Sequence, residues 1–223
     1  MRSLLVSAAV AASLFVTLPA HAQVIARTGS VTSGSAFGIH AFGMVEMERM
    51  AAKDSFDAVL AGSSKSQLML VGAGVEVERV WKGVFARFTA TRTSNEGTRV
   101  FVDSSKKAHS LNVPLTIAIT PIEIGGGWRF GRSRVMPYVG GALLFQRYEE
   151  TSSEALAGEN IKTTDRGIAL FGGFDVALGI VRVGAEGFYR SVPDAIGAAG
   201  ASADFNEDNL GGVGFRVLLG VAF

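Results

Sequence analysis

Apolar residues recur at every second position of the C-terminal segment. The set is Val213, Phe215, Val217, Leu219, Val221 and Phe223, while glycine, alanine, leucine and Arg216 fill the positions between them. An alternation with period two places each set of side chains on its own face of a β-strand. The pattern therefore predicts a strand that ends at Phe223, with one bulky apolar face and one small or charged face.

The same two-faced pattern recurs seven times upstream, which makes eight predicted strands. The segments are residues 37–48, 68–78, 84–91, 113–130, 136–148, 168–178 and 181–190. In the fourth segment the apolar phase slips by one position at Thr120-Pro121. We interpret this slip as a bulge within one strand, because a turn between two strands would give an odd strand count. The facing of the fifth segment stays ambiguous.

The predicted connections alternate in length. Residues 80–83, 131–134 and 178–180 form short turns, whereas residues 49–66, 94–109, 149–166 and 193–209 form long polar loops. Short turns on one rim and long loops on the other are typical of a transmembrane β-barrel. Residues 51–60 of the first loop could form a short helix, for which Asp54 is the predicted N-cap.

The first residues have the pattern of a secretory signal. Arg2 precedes an apolar run over residues 4–18, and Ala20-His21-Ala22 has the small-residue form of a cleavage site. We predict a signal peptide at 1–22, an N-terminal periplasmic segment at 23–35 and a barrel at 36–223. The alternative is an N-terminal anchor helix, but the run is shorter than the roughly 20 residues that cross a bilayer.

Composition narrows the class of protein. Of 223 residues 48% are hydrophobic, 28 are glycine and none is cysteine, which excludes a disordered chain, a disulfide scaffold and a zinc-thiolate site. Without Arg2 the chain has 20 basic and 20 acidic residues, so no nucleic-acid partner is expected. The glycine-rich minority faces suit the crowded lumen of a narrow membrane barrel better than the solvent-facing surface of a soluble, lipocalin-like barrel.

Charged residues of both signs share the predicted inner face. We expect them to pair in the lumen as a structural network; the alternative is a proton or ion path. The set is Glu46, Glu76, Arg87, Arg129, Arg182, Glu186, Arg190 and Arg216, with Glu48, Glu78 and Asp175 beside them.

The sequence resembles the small outer-membrane β-barrel superfamily of the OmpA, OmpX and opacity-protein type. The resemblance lies in residues 114–130, in Met136-Pro-Tyr-Val-Gly-Gly141 and in the aromatic C-terminal segment. It implies a closed antiparallel up-and-down transmembrane barrel, monomeric, in contact with outer-membrane lipid and lipopolysaccharide. It further implies that Phe223, Val221 and Leu219 are read by the barrel-assembly machinery. The chain lacks the peptidoglycan-binding domain of full-length OmpA, so a cell-wall tether is not expected.

Few residues offer catalytic chemistry. His109-Ser110 is the only adjacent base and nucleophile, His40 is expected to be a satisfied interior histidine, and Gly125-Gly-Gly127 has no phosphate-loop lysine after it. No catalysis, cofactor or metal with typical ligand spacing is expected. The third and fourth long loops carry net charges of −3 and −4, and Asp204, Glu207 and Asp208 are candidate ligands for a weakly bound Ca²⁺ or Mg²⁺.

The sequence thus predicts a bacterial outer-membrane barrel with a filled lumen and a structural or surface-interaction role. One alternative is a narrow channel or an outer-membrane barrel enzyme acting on lipid. A second alternative is a soluble periplasmic lipocalin-like binder.

Overall fold

Eight antiparallel strands close into a barrel in which each strand pairs with the next and β8 pairs with β1. The computed structural model describes residues 38–60, 66–131, 134–152, 160–196 and 201–223. The elements are β1 (Gly38–Met50), α1 (Lys53–Val59), β2 (Gln67–Trp81), β3 (Val84–Val102), β4 (Ala108–Arg129), β5 (Val135–Thr151), β6 (Ile161–Leu178), β7 (Val181–Ser191), α2 (Ala201–Phe205) and β8 (Gly212–Ala222). The predicted fold class and strand count are confirmed. The predicted signal peptide and periplasmic segment lie outside the described residues.

Strands β3 to β6 are longer than the sequence pattern predicts. They contain 17 to 22 residues, whereas a tilted strand crosses a bilayer with about 9–11. The predicted loop 94–109 is therefore mostly wrong: β3 and β4 stay paired up to Val102 and Ala108, and only residues 103–107 connect them. A strand that leaves the bilayer can be polar on both faces, so its continuation has no two-faced pattern to detect.

The bulge predicted at Thr120-Pro121 is wrong. Strand β4 keeps one register with β5 from Thr116 to Arg129, and its pairing with β3 has the same offset on both sides of this site. The apolar phase changes because Leu115, Ile117 and Ile119 point inward. The outward positions that follow them in β4 are apolar, as expected for residues that face lipid.

The inward apolar residues belong to a cluster at the loop end of the lumen, the apolar plug. Its buried members are Met50, Ala52, Phe56, Leu60, Leu68, Leu70, Leu115, Ile117, Ile119, Leu144, Tyr148, Val192 and Leu210. The fifth strand contributes Leu144 and Tyr148, and Tyr138 and Gln146 are also buried while Val139 and Leu143 are exposed. This settles the facing of that strand.

Glycines on the inner face make room for aromatic rings of neighbouring strands. A Cβ added at Gly140 would lie 2.5 Å from the Phe171 ring, and one added at Gly214 would lie 2.6 Å from the Phe188 ring. The same holds for the pairs Gly74 with Phe42 and Gly127 with Phe85. These four glycines are therefore required by the narrow lumen.

Two short helices lie on the loop side of the barrel. Asp54 is not the N-cap of α1: the cap position is Ala52, which makes no side-chain cap bond, and Asp54 lies in the first turn. Neither helix of the described residues is long and apolar enough to cross a membrane.

Candidate functional site

An outer cluster of buried charges crosses the lumen around Arg190 and Arg216. Arg190 lies 3.0 Å from Glu46, 2.7 Å from Glu48 and 2.7 Å from Glu123. Arg216 reaches Glu46 and Glu123 at 2.9 and 3.1 Å and also contacts Glu186. Both guanidiniums are only 1% exposed, so each carboxylate compensates a charge that water does not reach.

An inner cluster lies between Arg216 and the short-turn end. Arg87 pairs with Glu76 at 3.0 Å and with Glu186 at 2.5 Å, which joins the two clusters. Arg129 contacts Glu76 at 2.7 Å and Asp175 at 2.7 Å. Arg129 and Arg182 also pair with Glu78.

Aromatic rings enclose the inner cluster. The Arg87 guanidinium lies 4.8 Å from the Phe171 ring, 5.0 Å from that of Tyr138 and 5.1 Å from that of Phe85. The negative face of each ring attracts the cation. Rings and ion pairs together fill this part of the lumen.

The eight charged lumen residues predicted from the sequence are thus all brought into these two clusters. Glu123 was missed, although it lies between the outward-facing Ile122 and Ile124 and is itself buried. The signal that could have found it is its spacing from Arg129, because residues six apart share a face of a strand. With Glu123, the two clusters hold seven carboxylates and five guanidiniums.

His40 is not the satisfied interior histidine that was expected. It is buried, and neither ring nitrogen has a hydrogen-bond partner among the described residues. Its ligating atoms lie within 4.8 Å of those of Glu76 and Glu78. Both of these carboxylates already pair with guanidiniums, and the repulsion from these cations disfavours a metal ion there.

The loop end forms a cup above the apolar plug. Glu207 fixes the helix α1 to the fourth loop: its carboxylate accepts hydrogen bonds from the Asp54 and Ser55 amides at 3.0 and 2.8 Å and from the Ser55 hydroxyl at 2.6 Å. A cavity of about 420 Å³ opens beside this contact, lined mainly by Phe56, Leu111, Leu115, Ile117, Tyr148 and Ile196. Glu207 is therefore occupied as a helix cap, and of the predicted cation ligands Asp204 and Asp208 remain.

The candidate catalytic pair lies on the β3–β4 hairpin. His109 is exposed and its Nε2 lies 2.9 Å from Asp103, while the Ser110 hydroxyl donates to Thr98 at 3.3 Å. Hydrogen bonds from Ser105, and then from His109, hold the pKa of Asp103 well below its ordinary value. His109 thus stabilises a turn and makes no contact with the Ser110 hydroxyl that would activate it as a nucleophile.

The outer wall has the opposite polarity to the lumen. Leu143 is 61% and Leu219 60% exposed, and an apolar belt of such side chains runs along every strand, as at Ile39, Val75, Phe88, Ile124, Val139, Leu170, Tyr189 and Phe215. Eleven residues of β5, from Val135 to Phe145, give a belt about 25 Å tall at the usual strand rise and tilt. Monomeric soluble proteins rarely expose so large an apolar surface.

The chain forms a transmembrane β-barrel. A lipocalin-like soluble barrel would have its apolar face inside, so that alternative is excluded. The residues of the predicted assembly signal, Phe223, Val221 and Leu219, lie on the lipid-facing side of β8. Trp81 and Trp128 pack edge to face at 6.2 Å near the short-turn end, where interfacial aromatic residues are common.

The chain is similar to a number of solved structures. No protein-family model and no curated protein matches the chain. Among solved structures, Neisserial surface protein A is 14% identical, with a TM-score of 0.47, covering 83% of this chain and 94% of its own. Ail of Yersinia pestis, in complex with sucrose octasulfate, is 11% identical, with a TM-score of 0.47, covering 85% and 100%. The N-terminal barrel of Pseudomonas aeruginosa OprF is 10% identical, with a TM-score of 0.46, covering 82% and 97%.

Proposed function

We propose that the chain is a bacterial outer-membrane protein with a sealed lumen that acts through its outer surface. The proposal depends on one observation: a barrel without open edges has both an apolar outer belt and a lumen filled with ion pairs. Closed barrels of this polarity span outer membranes. Export by a signal peptide at 1–22 and recognition of Phe223 by the barrel-assembly machinery are parts of the same proposal.

The different lengths of the connections at the two ends of the barrel support its orientation in the membrane. Both ends of the described chain and the two-residue turn Lys82-Gly83 lie at one end, which we assign to the periplasm. The long strand extensions, both helices and the cup lie at the other end, which we assign to the cell surface. Loops held by a rigid scaffold commonly carry binding, so the cup and the wall below it are the surfaces for interaction.

The role proposed is structural or interactive, without catalysis. A channel is disfavoured because Arg87, Arg190 and Arg216 cross the lumen with buried partners and the apolar plug lies above them. Contact of the acidic loops with anionic surfaces through Ca²⁺ or Mg²⁺, with Asp204 and Asp208 as ligands, stays a prediction.

Three measurements test this function. In cells, the full chain is expected in the outer-membrane fraction, and the unheated protein is expected to migrate differently from the boiled protein in a detergent gel. In planar bilayers the folded protein is expected to show no stable porin-like conductance. Recovery from the soluble periplasm would contradict the membrane assignment, and a reproducible conductance abolished by Arg87→Ala would contradict the sealed lumen.

A further inference from the structure

Four basic side chains lie on the outside of the wall, immediately above the apolar belt on the loop side. Arg92 follows Ala90 on β3, Arg147 follows Phe145 on β5, and Arg166 precedes Ile168 on β6, each at the next outward position. Lys162 lies two outward positions beyond Arg166. We name Arg92, Arg147, Lys162 and Arg166 the basic wall patch.

The pairing of the strands makes this patch continuous. The Arg92 guanidinium lies 3.4 Å from the Thr120 hydroxyl, and Thr120 faces Arg147 across the β4–β5 ladder. Arg147 in turn faces Thr164 on β6. Arginines and hydroxyls therefore form one row across four strands, with Lys162 and Arg166 on either side of it.

One carboxylate lies within the patch. Glu149 is 3.3 Å from Arg92, 2.9 Å from the Arg147 Nε and 3.2 Å from Lys162. Arg166 makes no ion pair with any residue that the structure describes. Four bases share one acid, so the patch has an excess of three positive charges, and all four basic side chains are exposed or nearly so.

The position and chemistry of the patch favour a phosphorylated ligand. Guanidiniums bind phosphate through two parallel hydrogen bonds, and hydroxyls add further donors. The last apolar side chains below the patch mark the edge of the hydrocarbon layer, where lipid head groups lie. The segments that connect β5 to β6 and β7 to β8, residues 152–160 and 192–211, contain acidic residues and no basic ones, so an anionic ligand is favoured at the wall and disfavoured in the cup.

We propose that the basic wall patch binds the phosphorylated head group of an outer-leaflet glycolipid. The acyl chains of that lipid would lie along the apolar belt beneath Arg92, Arg147 and Arg166, while its phosphates take the place of Glu149 as partners of the bases. This inference rests on the outer-membrane location proposed above.

The test measures lipid binding to the detergent-folded full chain by native mass spectrometry. The probes are bis-phosphorylated lipid A, the same glycolipid without its phosphates, and inorganic phosphate. The variant Arg92→Gln/Arg147→Gln/Arg166→Gln is expected to bind lipid A at least about tenfold more weakly, because it loses three side chains that form charge-assisted hydrogen bonds to phosphate. The matched control Lys106→Gln/Lys107→Gln/Arg134→Gln removes the same charge from turns away from the wall and is expected to stay within about twofold.

A second variant gives an effect of opposite sign. Glu149→Gln removes the internal competitor for three bases and is expected to strengthen lipid A binding by roughly twofold to fivefold, given the usual strength of exposed ion pairs. Equal binding of the phosphorylated and dephosphorylated lipids, unchanged binding by the triple variant, or complete competition by inorganic phosphate would each overturn the proposal. Failure of the outer-membrane location would instead appear in cell fractionation, with these detergent measurements unaffected.

Discussion

Arg190 holds together the outer charge cluster, and replacing it tests the account of the lumen. In Arg190→Met the side chain keeps a similar length but loses its charge. Glu46 and Glu123 keep Arg216 as a partner. Glu48 keeps none, because one of its oxygens has no partner and the other pairs with Arg190 at 2.7 Å.

The expected loss of stability in Arg190→Met follows from this arrangement of charges. Removing one partner of a buried ion pair typically destabilises a protein by about 3–5 kcal/mol, because a buried charge is left uncompensated. The clusters already hold two more carboxylates than guanidiniums, so losing an arginine adds to the excess while losing a glutamate reduces it. We therefore expect Glu48→Gln to cost less than Arg190→Met.

Urea unfolding in phospholipid vesicles, followed by tryptophan fluorescence, measures these free energies. Arg190→Met is expected to lower the free energy of unfolding by about 3–5 kcal/mol, and adding Glu48→Gln to recover about 1–2 kcal/mol of it. The exposed control Arg92→Met is expected to cost less than about 1 kcal/mol. A loss below about 1 kcal/mol for Arg190→Met, or no recovery in the double variant, would refute the reasoning.

Three further predictions concern the ends of the barrel. Deleting Phe223 removes the two backbone hydrogen bonds that join it to Ile39 at 2.8 and 3.2 Å, so outer-membrane assembly is expected to fall while export continues. The control Phe223→Tyr is expected to assemble normally, and normal insertion of the truncated chain would contradict the assigned role. Glu207→Ala removes the cap of α1, so the Asp54 and Ser55 amides are expected to exchange hydrogen about fivefold faster. Equal exchange rates in Glu207→Ala and in the control Asp208→Asn would contradict the capping role of Glu207. Hydrogen bonds from Arg147, and then from Lys162, lower the pKa of Glu149 to about 2. The stabilisation of the folded protein by these contacts is complete above the ordinary glutamate pKa and is lost as the pH falls through about 2. A carboxyl NMR titration that shows an ordinary pKa for Glu149, or a pKa unaffected by Arg147→Gln, would contradict these contacts.

The strand count and most strand orientations were predictable because lipid and lumen impose opposite polarities on alternate residues. That signal is local and present in each strand, as at Val213 to Phe223. It fails where both faces share one polarity. The apolar plug gives Leu115, Ile117 and Ile119 the character of lipid-facing residues, and only the closure of the barrel shows that they point inward.

Contacts between distant segments were beyond the reach of the sequence pattern. Asp54 satisfies the local rule for an N-cap, yet Glu207, 153 residues away, supplies the oxygen that the helix needs. The basic wall patch draws on three strands whose bases are separated by long stretches of chain. Such groupings depend on strand register, which residue spacing alone does not determine.

Spin labelling tests the central claim, that the belt of this barrel faces lipid, most directly. The chain has no cysteine, so nitroxides can be attached to single cysteines at Val139, Leu143 and Arg147 of the protein in vesicles. Val139 and Leu143 are expected to be accessible to oxygen, which partitions into lipid, and shielded from a water-soluble nickel complex. Arg147 is expected to be accessible to the nickel complex. Nickel accessibility at Leu143 equal to that at Arg147 would contradict the membrane-spanning barrel.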